Sequence, residues 1–354
     1  MSRFLSEHLR TLAEYVPGEQ LQDRRYIKLN TNESPYPASD GVVAAVHAQA
    51  VRDLRLYPDT DCRILVQALA DAYGVLPENI FVSNGSDDIL NFAFMGYCGP
   101  DRPVHFPQVS YGFYQVYADL YRVPYTKIPM EPDFSIRPAD YMHAGCTVVL
   151  ANPNAQTGIA LPLADIERIV ASNPDHVVVV DEAYVDFGGE SAVPLIKKYS
   201  NLLVCQTFSK SRSMAGARLG FAIADASLIA DLNKIKYSTN PYNINRLTQV
   251  AGVAALQDDW YYRENCRKII QTRAWTRAQL EALGFFVTDS SANFLLVGRG
   301  PVPGKTLYEK LKAREILVRH FSDPQLDDYV RITIGTQEQM QTVVEAITAI
   351  VKGR

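Results

Sequence analysis

The feature that most constrains the fold is a series of short apolar runs, rich in β-branched residues and bounded by turn residues. Such runs are typical of buried strands. A helical pattern over residues 162–172 follows one of them. Strands that alternate with helices favour a largely parallel sheet covered by helices on both faces, and the sequence therefore predicts an α/β fold. The apolar runs are residues 80–82, 147–150, 177–180, 202–206 and 220–224.

The pattern changes near residue 241, which suggests a second folding unit. A helical stretch over residues 246–283 precedes strand-like residues 294–297, a helical pattern at 306–314 and strand-like residues 329–334. We therefore expect three parts. They are an N-terminal arm at 1–35 that packs with the small domain, a large mostly parallel domain at 36–240, and a smaller α+β domain at 241–354.

Composition and charge exclude several classes of protein. With 47% hydrophobic residues in 354, the chain can bury a sizeable core. The 35 basic and 39 acidic residues are interspersed and give a net charge of −4, so a nucleic-acid partner is not expected. No apolar window is long enough for a membrane span or a signal peptide, so no membrane partner is expected.

The cysteines and histidines indicate neither a disulfide framework nor a metal site. The five cysteines are odd in number and include no CxxC pair, which is typical of reduced thiols, so we predict a cytoplasmic protein. The six histidines do not fall at ligand spacing, and no metal site is predicted.

Polar residues follow the predicted strands, where parallel sheets bind ligands. Gly85, Ser86 and Asp87 begin a helix after the first run. Backbone N–H groups at a helix start suit a phosphate, although Ser86 and Asp87 are also ordinary residues for a helix cap. Asn152 follows the second run, where its side-chain amide is free to bind a ligand oxygen or to stabilise a turn.

The next two strands end in charged residues. Asp181 ends an apolar run, and a carboxylate there needs a cationic partner unless it caps a helix. Lys210 follows the next run among hydroxyl residues, where desolvation would free its amine for imine formation, although an isolated lysine is usually a surface charge. Arg218 lies 8 residues further on and has the fork geometry for a phosphate. The spacing is regular: 29 residues separate Asn152 from Asp181, and 29 separate Asp181 from Lys210.

The motifs Asn-Pro-x-x-x-Thr-Gly, Asp-x-x-Tyr and Ser-Lys-(x)₇-Arg-x-Gly, in this order, resemble the fold type I pyridoxal-phosphate enzymes of the aminotransferase family. The resemblance covers most of the chain and implies pyridoxal 5′-phosphate as cofactor. One loop departs from the family pattern, because Ala155 and Gln156 stand where Asn and Pro are usual. Ser86 and Asp88 also stand where the family often has alanine and glutamate.

The resemblance assigns roles around the cofactor. Lys210 would bind it covalently and later move a proton at the substrate, while Asp181 would keep the pyridine nitrogen protonated. Asn152 and Tyr184 would hydrogen-bond the phenolic oxygen. The residues implied for the phosphate are Gly85, Ser86, Asp87, Ser209 and Arg218.

Two tyrosines complete this implied set. Tyr111 matches the aromatic residue that stacks on the cofactor ring, although a buried core tyrosine is an equally ordinary reading. Tyr57 resembles the tyrosine that reaches the phosphate from the other subunit. A shared site of this kind implies a homodimer.

The segments around Tyr15, Asn32 and Arg319 resemble signatures of the histidinol-phosphate aminotransferase family. That likeness implies transamination between histidinol phosphate and 2-oxoglutarate, with glutamate as the amino acid formed, in histidine biosynthesis. Tyr15 and Asn32 would approach the substrate, and Arg319 and Arg331 would bind its anionic groups. An aromatic amino-acid aminotransferase and a phosphothreonine-type pyridoxal-phosphate decarboxylase remain open as alternatives.

Overall fold

The structure is a computed structural model that describes residues 2–20 and 26–353. Residues 1, 21–25 and 354, which belong to the predicted arm and small domain, lie outside the described residues. The strands are β1 (Ile27–Lys28), β2 (Ile80–Ser83), β3 (Val104–Pro107), β4 (Tyr125–Ile128), β5 (Thr147–Ala151), β6 (Val178–Asp181), β7 (Leu202–Thr207), β8 (Gly220–Ala224), β9 (Phe286–Val287), β10 (Phe294–Gly298), β11 (Ile316–Leu317), β12 (Arg319–His320) and β13 (Tyr329–Thr333). The helices are α1 (Asp40–Ala45), α2 (Ala48–Arg52), α3 (Arg63–Tyr73), α4 (Ser86–Tyr97), α5 (Phe113–Tyr121), α6 (Leu163–Ser172), α7 (Ala226–Thr239), α8 (Arg246–Gln257), α9 (Asp259–Ala282), α10 (Gly304–Lys312) and α11 (Gln337–Val351).

A seven-stranded sheet forms the centre of the molecule, in the order β2-β8-β7-β6-β5-β3-β4. Strands β7, β6, β5, β3 and β4 run parallel, and β8 runs antiparallel to both of its neighbours. The predicted α/β fold with a mostly parallel sheet is confirmed. Each of the five apolar runs became a strand, with bounds that differ by a few residues at most.

Helices cover both faces of this sheet because its inner strands are apolar on both sides. Strands β5 to β8 are buried over their whole length. Val179 packs in one core cluster with Ile89 of α4. Val178 packs in a second cluster with Ile166 of α6. The strand β6 is therefore held between two helical layers, and only its ends are free to carry polar residues.

Two strands of this sheet, the inner strand β3 and the edge strand β4, were not predicted from the sequence. β3 contains His105, and β4 contains Thr126 and Lys127, so neither has an uninterrupted apolar run. β4 is the outer strand of the sheet, and a lysine on such an edge is a common protection against pairing with another chain.

A second sheet of four antiparallel strands has the order β12-β13-β10-β9. In it Arg319 of β12 is the register partner of Arg331 of β13. The N-terminal strand β1 pairs in parallel with β11, and α8 packs against α1 and α3. The division into an arm, a large domain and a small domain at residues 35 and 240 stays a prediction. None of the helices in residues 2–20 and 26–353 has the length and apolar character needed to span a membrane.

Candidate active site

The ends of five central strands meet at one edge of the sheet. Ala151, Asp181 and Cys205 are register partners on β5, β6 and β7. On the other side, the first residue of antiparallel β8, Gly220, pairs with the end of β7 and with Ser83 at the end of β2. A pocket opens at this edge and brings together eight of the predicted site residues. They are Ser86, Asp87, Tyr111, Asp181, Tyr184, Ser209, Lys210 and Arg218.

Asp181 is the acid of this pocket. Its side chain is 4% exposed, and burial raises its pKa to about 6. Oδ2 accepts a hydrogen bond from the Tyr114 hydroxyl at 2.8 Å, and Oδ1 accepts one from the Ala183 N–H at 3.2 Å. Both bonds stabilise the charged form and act against the effect of burial.

Tyr114 was not predicted as a site residue. It is fully buried, which fits a core tyrosine as well as a site residue. Only a weak signal was present in the sequence, since Tyr114 lies in the first turn of α5 and three residues after Tyr111, which precedes the helix. The bond to Asp181 itself depends on how α5 packs against β6.

Lys210 lines the same pocket as Asp181. Burial lowers the pKa of its amine to about 8, and nearby Arg331 acts in the same direction. Its Nζ donates to the Thr31 carbonyl at 3.2 Å. A lysine whose pKa lies this close to neutrality has a usable fraction of neutral amine, which is the nucleophilic form.

One end of the pocket is a cradle for an anion, formed by the β2–α4 turn and the start of β8. Gly85 adopts a φ of +88°, and a Cβ there would lie 2.6 Å from Nη2 of Arg218. A Cβ on Gly220 would lie 2.5 Å from the backbone N of Ser86. Gly220 is required by its approach to backbone, whereas at Gly85 the positive φ favours glycine. The N–H groups at the start of α4 and the guanidinium of Arg218 suit a phosphate.

The side chains of Tyr111 and Arg218 both donate hydrogen bonds to Asp87. One carboxylate oxygen accepts from the Tyr111 hydroxyl at 2.7 Å, and the other accepts from Nη2 of Arg218 at 3.0 Å. The ion pair is partly exposed, with about 44% of the Arg218 side chain accessible, so it contributes little to stability. Its effect is to orient the arginine and the tyrosine towards the pocket.

Tyr184 is held by a residue predicted to approach the substrate. Nδ2 of Asn32 donates to the Tyr184 hydroxyl at 3.0 Å, while Oδ1 of Asn32 accepts from Thr333 at 3.1 Å. Asn32 is 1% exposed. Its amide therefore fixes the position of the Tyr184 hydroxyl at the pocket wall.

The Asn152 side chain is bonded within its own loop, and its contact with the phenolic oxygen of the cofactor stays a prediction. Its Oδ1 accepts from the Leu161 N–H at 2.7 Å, and its Nδ2 donates to the Leu161 carbonyl at 3.2 Å. Both ends of the amide are thus used to close the loop after β5. Ala155, from the same loop, lines the pocket instead.

Arg331 and Arg319 lie side by side because they are register partners. Nη1 of Arg331 donates to the Ala155 carbonyl and to Oε1 of Gln156, both at 2.9 Å. Its Nε is buried and has no hydrogen-bond partner. Desolvation lowers the pKa of this guanidinium, and an unpartnered buried donor on it favours an anionic ligand.

The N-terminal arm covers this pair of arginines. Arg319 donates to the carbonyls of Val16 and Pro17, both at 2.9 Å. The ring of Tyr15 stacks on Phe113 with centroids 4.2 Å apart and lies 6.0 Å from the ring of Tyr111. Tyr15 thus contacts Tyr111, which lines the pocket, and its approach to the substrate stays a prediction.

Tyr57, a predicted cofactor residue, does not line this pocket. Its side chain is 77% exposed and stacks on Tyr242 with centroids 4.5 Å apart. Its carbonyl accepts a hydrogen bond from Arg246. The role of Tyr57 at a cofactor site stays a prediction.

The model of the aminotransferase class I and II family matches residues 24–347. This chain belongs to that family. A class I and II aminotransferase was predicted from the strand-end motifs, and the match confirms it. The histidinol-phosphate aminotransferase of Brachyspira hyodysenteriae is 46% identical over 353 residues, which cover 99% of this chain and 100% of that one. The enzyme of the same name from a Marinomonas species is 48% identical over 353 residues, with the same coverage.

Solved structures agree with this class I and II aminotransferase fold. The histidinol-phosphate aminotransferase of Sinorhizobium meliloti, solved in complex with pyridoxal-5′-phosphate, superposes with a TM-score of 0.88. The comparison covers 100% of this chain and 99% of that one at 23% identity, so it supports the fold.

The residues present fit a pyridoxal phosphate molecule. The glycine cradle with Arg218 provides for a phosphate, and a Cβ at Gly85 or Gly220 would fill it. Asp181 supplies a buried acid and Lys210 a desolvated amine to the same pocket. These are the groups that such a cofactor needs at its nitrogen and its aldehyde.

Proposed function

We propose that this aminotransferase uses pyridoxal 5′-phosphate to interconvert L-histidinol phosphate and 2-oxoglutarate with the corresponding imidazolyl-oxopropyl phosphate and L-glutamate, a step of histidine biosynthesis. The observation that carries the proposal is the presence of Lys210 and Asp181 in one pocket beside the Arg218 cradle. Two relatives of 46% and 48% identity, which carry the name histidinol-phosphate aminotransferase, support the choice of substrate.

The cofactor would be held at three points. The N–H groups of Ser86 and Asp87, with Ser209 and Arg218, bind the phosphate. Asp181 holds a proton at the pyridine nitrogen, and the Tyr184 hydroxyl stays near the phenolic oxygen because Asn32 positions it. When bound, the protonated ring supplies an electron sink for the charge released at the substrate Cα.

Lys210 performs the proton transfer. Its amine would hold the cofactor covalently until an amino substrate takes its place. The Nζ, with a pKa lowered to about 8, would then be available to move a proton at the substrate Cα. A general base is most effective when its pKa lies near the working pH.

The paired arginines bind the anionic groups of both substrates. Glutamate presents two carboxylates, and histidinol phosphate presents one phosphate. Arg331 and Arg319 have planar guanidinium groups, which can donate two parallel hydrogen bonds to the oxygens of a carboxylate or of a phosphate. The arm reaches this site through the bonds of Arg319 to the carbonyls of Val16 and Pro17.

We also propose that the protein works in the cytoplasm as a homodimer with shared sites. An exposed apolar face lies around Tyr57. Ile64 is 77% exposed, Leu54 49% and Val250 40%. Such a patch is typical of an interface between subunits, and covering it with a second copy would deliver Tyr57 to the partner's cradle.

The proposed function is tested by initial rates on one purified, cofactor-loaded sample. We expect glutamate formation from histidinol phosphate and 2-oxoglutarate, with kcat/KM at least tenfold above the value for phenylalanine as amino donor. Comparable values for the two donors would favour the aromatic aminotransferase. Carbon dioxide release from phosphothreonine, without amino transfer, would favour the decarboxylase.

A further inference from the structure

The loop after β5 contains a feature that the proposed function does not yet use. Gln156 stands where the family usually has proline, and its side chain contacts Arg331. Oε1 accepts from Nη1 of Arg331 at 2.9 Å. A proline at this position has no side-chain oxygen and offers no such bond.

Gln156 is fixed at both ends of its side chain and at its backbone. Nε2 donates to the Ser110 carbonyl at 3.2 Å. The backbone N–H donates to Oδ1 of Asn154 at 2.9 Å, and Asn154 is itself 1% exposed. These bonds hold the amide of Gln156 in one orientation, with its oxygen on Arg331. The side chain is therefore already ordered before a ligand binds, and binding costs little of its conformational entropy.

The hydrogen bonds of Arg331 occupy Nη1 and leave the edge formed by Nε and Nη2 available for a ligand. Both hydrogens of Nη1 are taken, one by the Ala155 carbonyl and one by Gln156. Among residues 2–20 and 26–353, buried Nε has no hydrogen-bond partner and Nη2 has only the Asn30 carbonyl at 3.5 Å. Phe294 and Phe321 lie 5.1 and 5.5 Å from the guanidinium carbon and restrict its rotation.

We propose that Gln156 is a specificity-determining residue, which reserves the Nε–Nη2 edge of Arg331 for a planar carboxylate of the substrate. A carboxylate binds one edge of a guanidinium through two parallel hydrogen bonds and requires that edge to be aimed correctly. A tetrahedral phosphate has three oxygens and tolerates a change of edge. The inference rests on the proposed function in one respect: Arg331 receives a substrate anion.

The test compares two unreactive anions on the full-length, cofactor-loaded protein. Gln156→Met keeps the length of the side chain and removes the oxygen. We expect the Kd of succinate to rise about tenfold and that of inorganic phosphate to change less than threefold. For glutamate, KM should rise by the same factor while kcat stays within a factor of about two.

A matched control is available in the same cleft. Gln115 lines the cleft with Gln156 and Tyr111, and Gln115→Met should leave both anion affinities unchanged. Should Gln156→Met fail to fold, Gln156→Ala removes the same bond with a smaller side chain. We expect it to raise the Kd of succinate and to change the Kd of phosphate much less, as for Gln156→Met. Unchanged succinate affinity, or equal weakening of both anions, would overturn the inference. A third outcome separates the two proposals. If the Gln156 variants weaken succinate more than phosphate but the wild-type protein transfers no amino group from histidinol phosphate, the proposed function is refuted and the role of Gln156 is not.

Discussion

At the scale of single residues, the chemistry depends on two groups whose pKa values burial moves towards neutrality from opposite sides. Burial raises the pKa of Asp181 to about 6 and lowers that of Lys210 to about 8. In water both groups would be charged at pH 7, whereas here the acid stays mostly ionised and the base gains a neutral fraction. Neither shift is visible in the residue types themselves.

The first prediction concerns Lys210. Only the neutral amine attacks an aldehyde, and the fraction of neutral amine rises as pH passes through the pKa of about 8. The rate at which apoprotein captures pyridoxal phosphate should therefore increase with pH, with a midpoint near 8. Borohydride reduction followed by mass spectrometry measures the covalent product.

The variant Lys210→Ala should yield none of this product. The control is Lys236→Ala, because Lys236 is also buried and its pKa is also lowered, but its Nζ donates to Thr60 away from the pocket. It should be labelled like the wild type. Equal labelling of the Lys210 variant would contradict the role of that residue.

The second prediction concerns Tyr114, whose hydroxyl lowers the pKa of Asp181 by a hydrogen bond. Hydrogen bonds to charged groups contribute about 1.5 to 3 kcal/mol, which corresponds to roughly one or two pKa units. In Tyr114→Phe the carboxyl pKa rises, so more of the acid is protonated at a given pH. The acid limb of kcat/KM should move up by about one unit.

Tyr141→Phe is the control for this change. Tyr141 is as fully buried as Tyr114, but its hydroxyl has no hydrogen-bond partner. We expect the pH profile of that variant to match the wild type. A Tyr114→Phe profile with an unmoved acid limb would show that the bond has no influence on Asp181.

At the scale of elements, the anion cradle exists because three backbone segments approach closely. The end of β2, the start of α4 and the start of β8 meet at Gly85 and Gly220. Helix α4 then directs the positive end of its dipole at the cradle. The cradle is a property of how these elements pack, and each of them contributes only part of it.

The third prediction therefore concerns Gly220→Ala. The new Cβ would lie 2.5 Å from the backbone of Gly85 and Ser86, so the turn must shift. We expect the Kd for pyridoxal phosphate to rise at least tenfold and the protein to lose about 1 to 3 kcal/mol of stability. Equilibrium binding and thermal unfolding measure the two effects.

Gly216→Ala is the matched control, because a Cβ at Gly216 meets no atom within 4 Å. Its affinity for the cofactor should stay at the wild-type value. If the two variants bind the cofactor equally well, the close approach at Gly220 has no part in binding.

At the scale of the whole molecule, the pocket of one chain lacks Tyr57, which projects from an apolar face. The fourth prediction follows from this arrangement. Tyr57→Ala and Arg218→Ala proteins should each be nearly inactive, but a mixture allowed to exchange subunits should recover about a quarter of wild-type activity. In an equal mixture half of all dimers contain one subunit of each variant, and each of these carries one intact site out of two.

The recovery should disappear when subunit exchange is prevented by crosslinking before mixing. A Tyr57→Ala protein with full activity, or a fully active monomer in analytical ultracentrifugation, would argue against the shared site. Arg218 serves here as the partner mutation because it lies in the cradle of its own chain.

The sequence by itself determined the strands with long apolar runs and the polar residues at their ends. β5, β6 and β7 are buried on both faces, and such strands must be apolar throughout. Parallel strands bring their carboxyl ends to one edge, so Asp181 and Lys210 converge whatever the details of the loops. The family motifs follow from the same geometry.

Only the tertiary structure decided which side chains reach the pocket. Asn152 turns back to Leu161, Tyr114 reaches Asp181 from α5, and Gln156 reaches Arg331 from a neighbouring loop. Each of these contacts depends on the rotamer of a side chain or on how two elements pack against each other. The local sequence limits such choices but does not select among them, because the energy that selects them comes from neighbours distant in the chain.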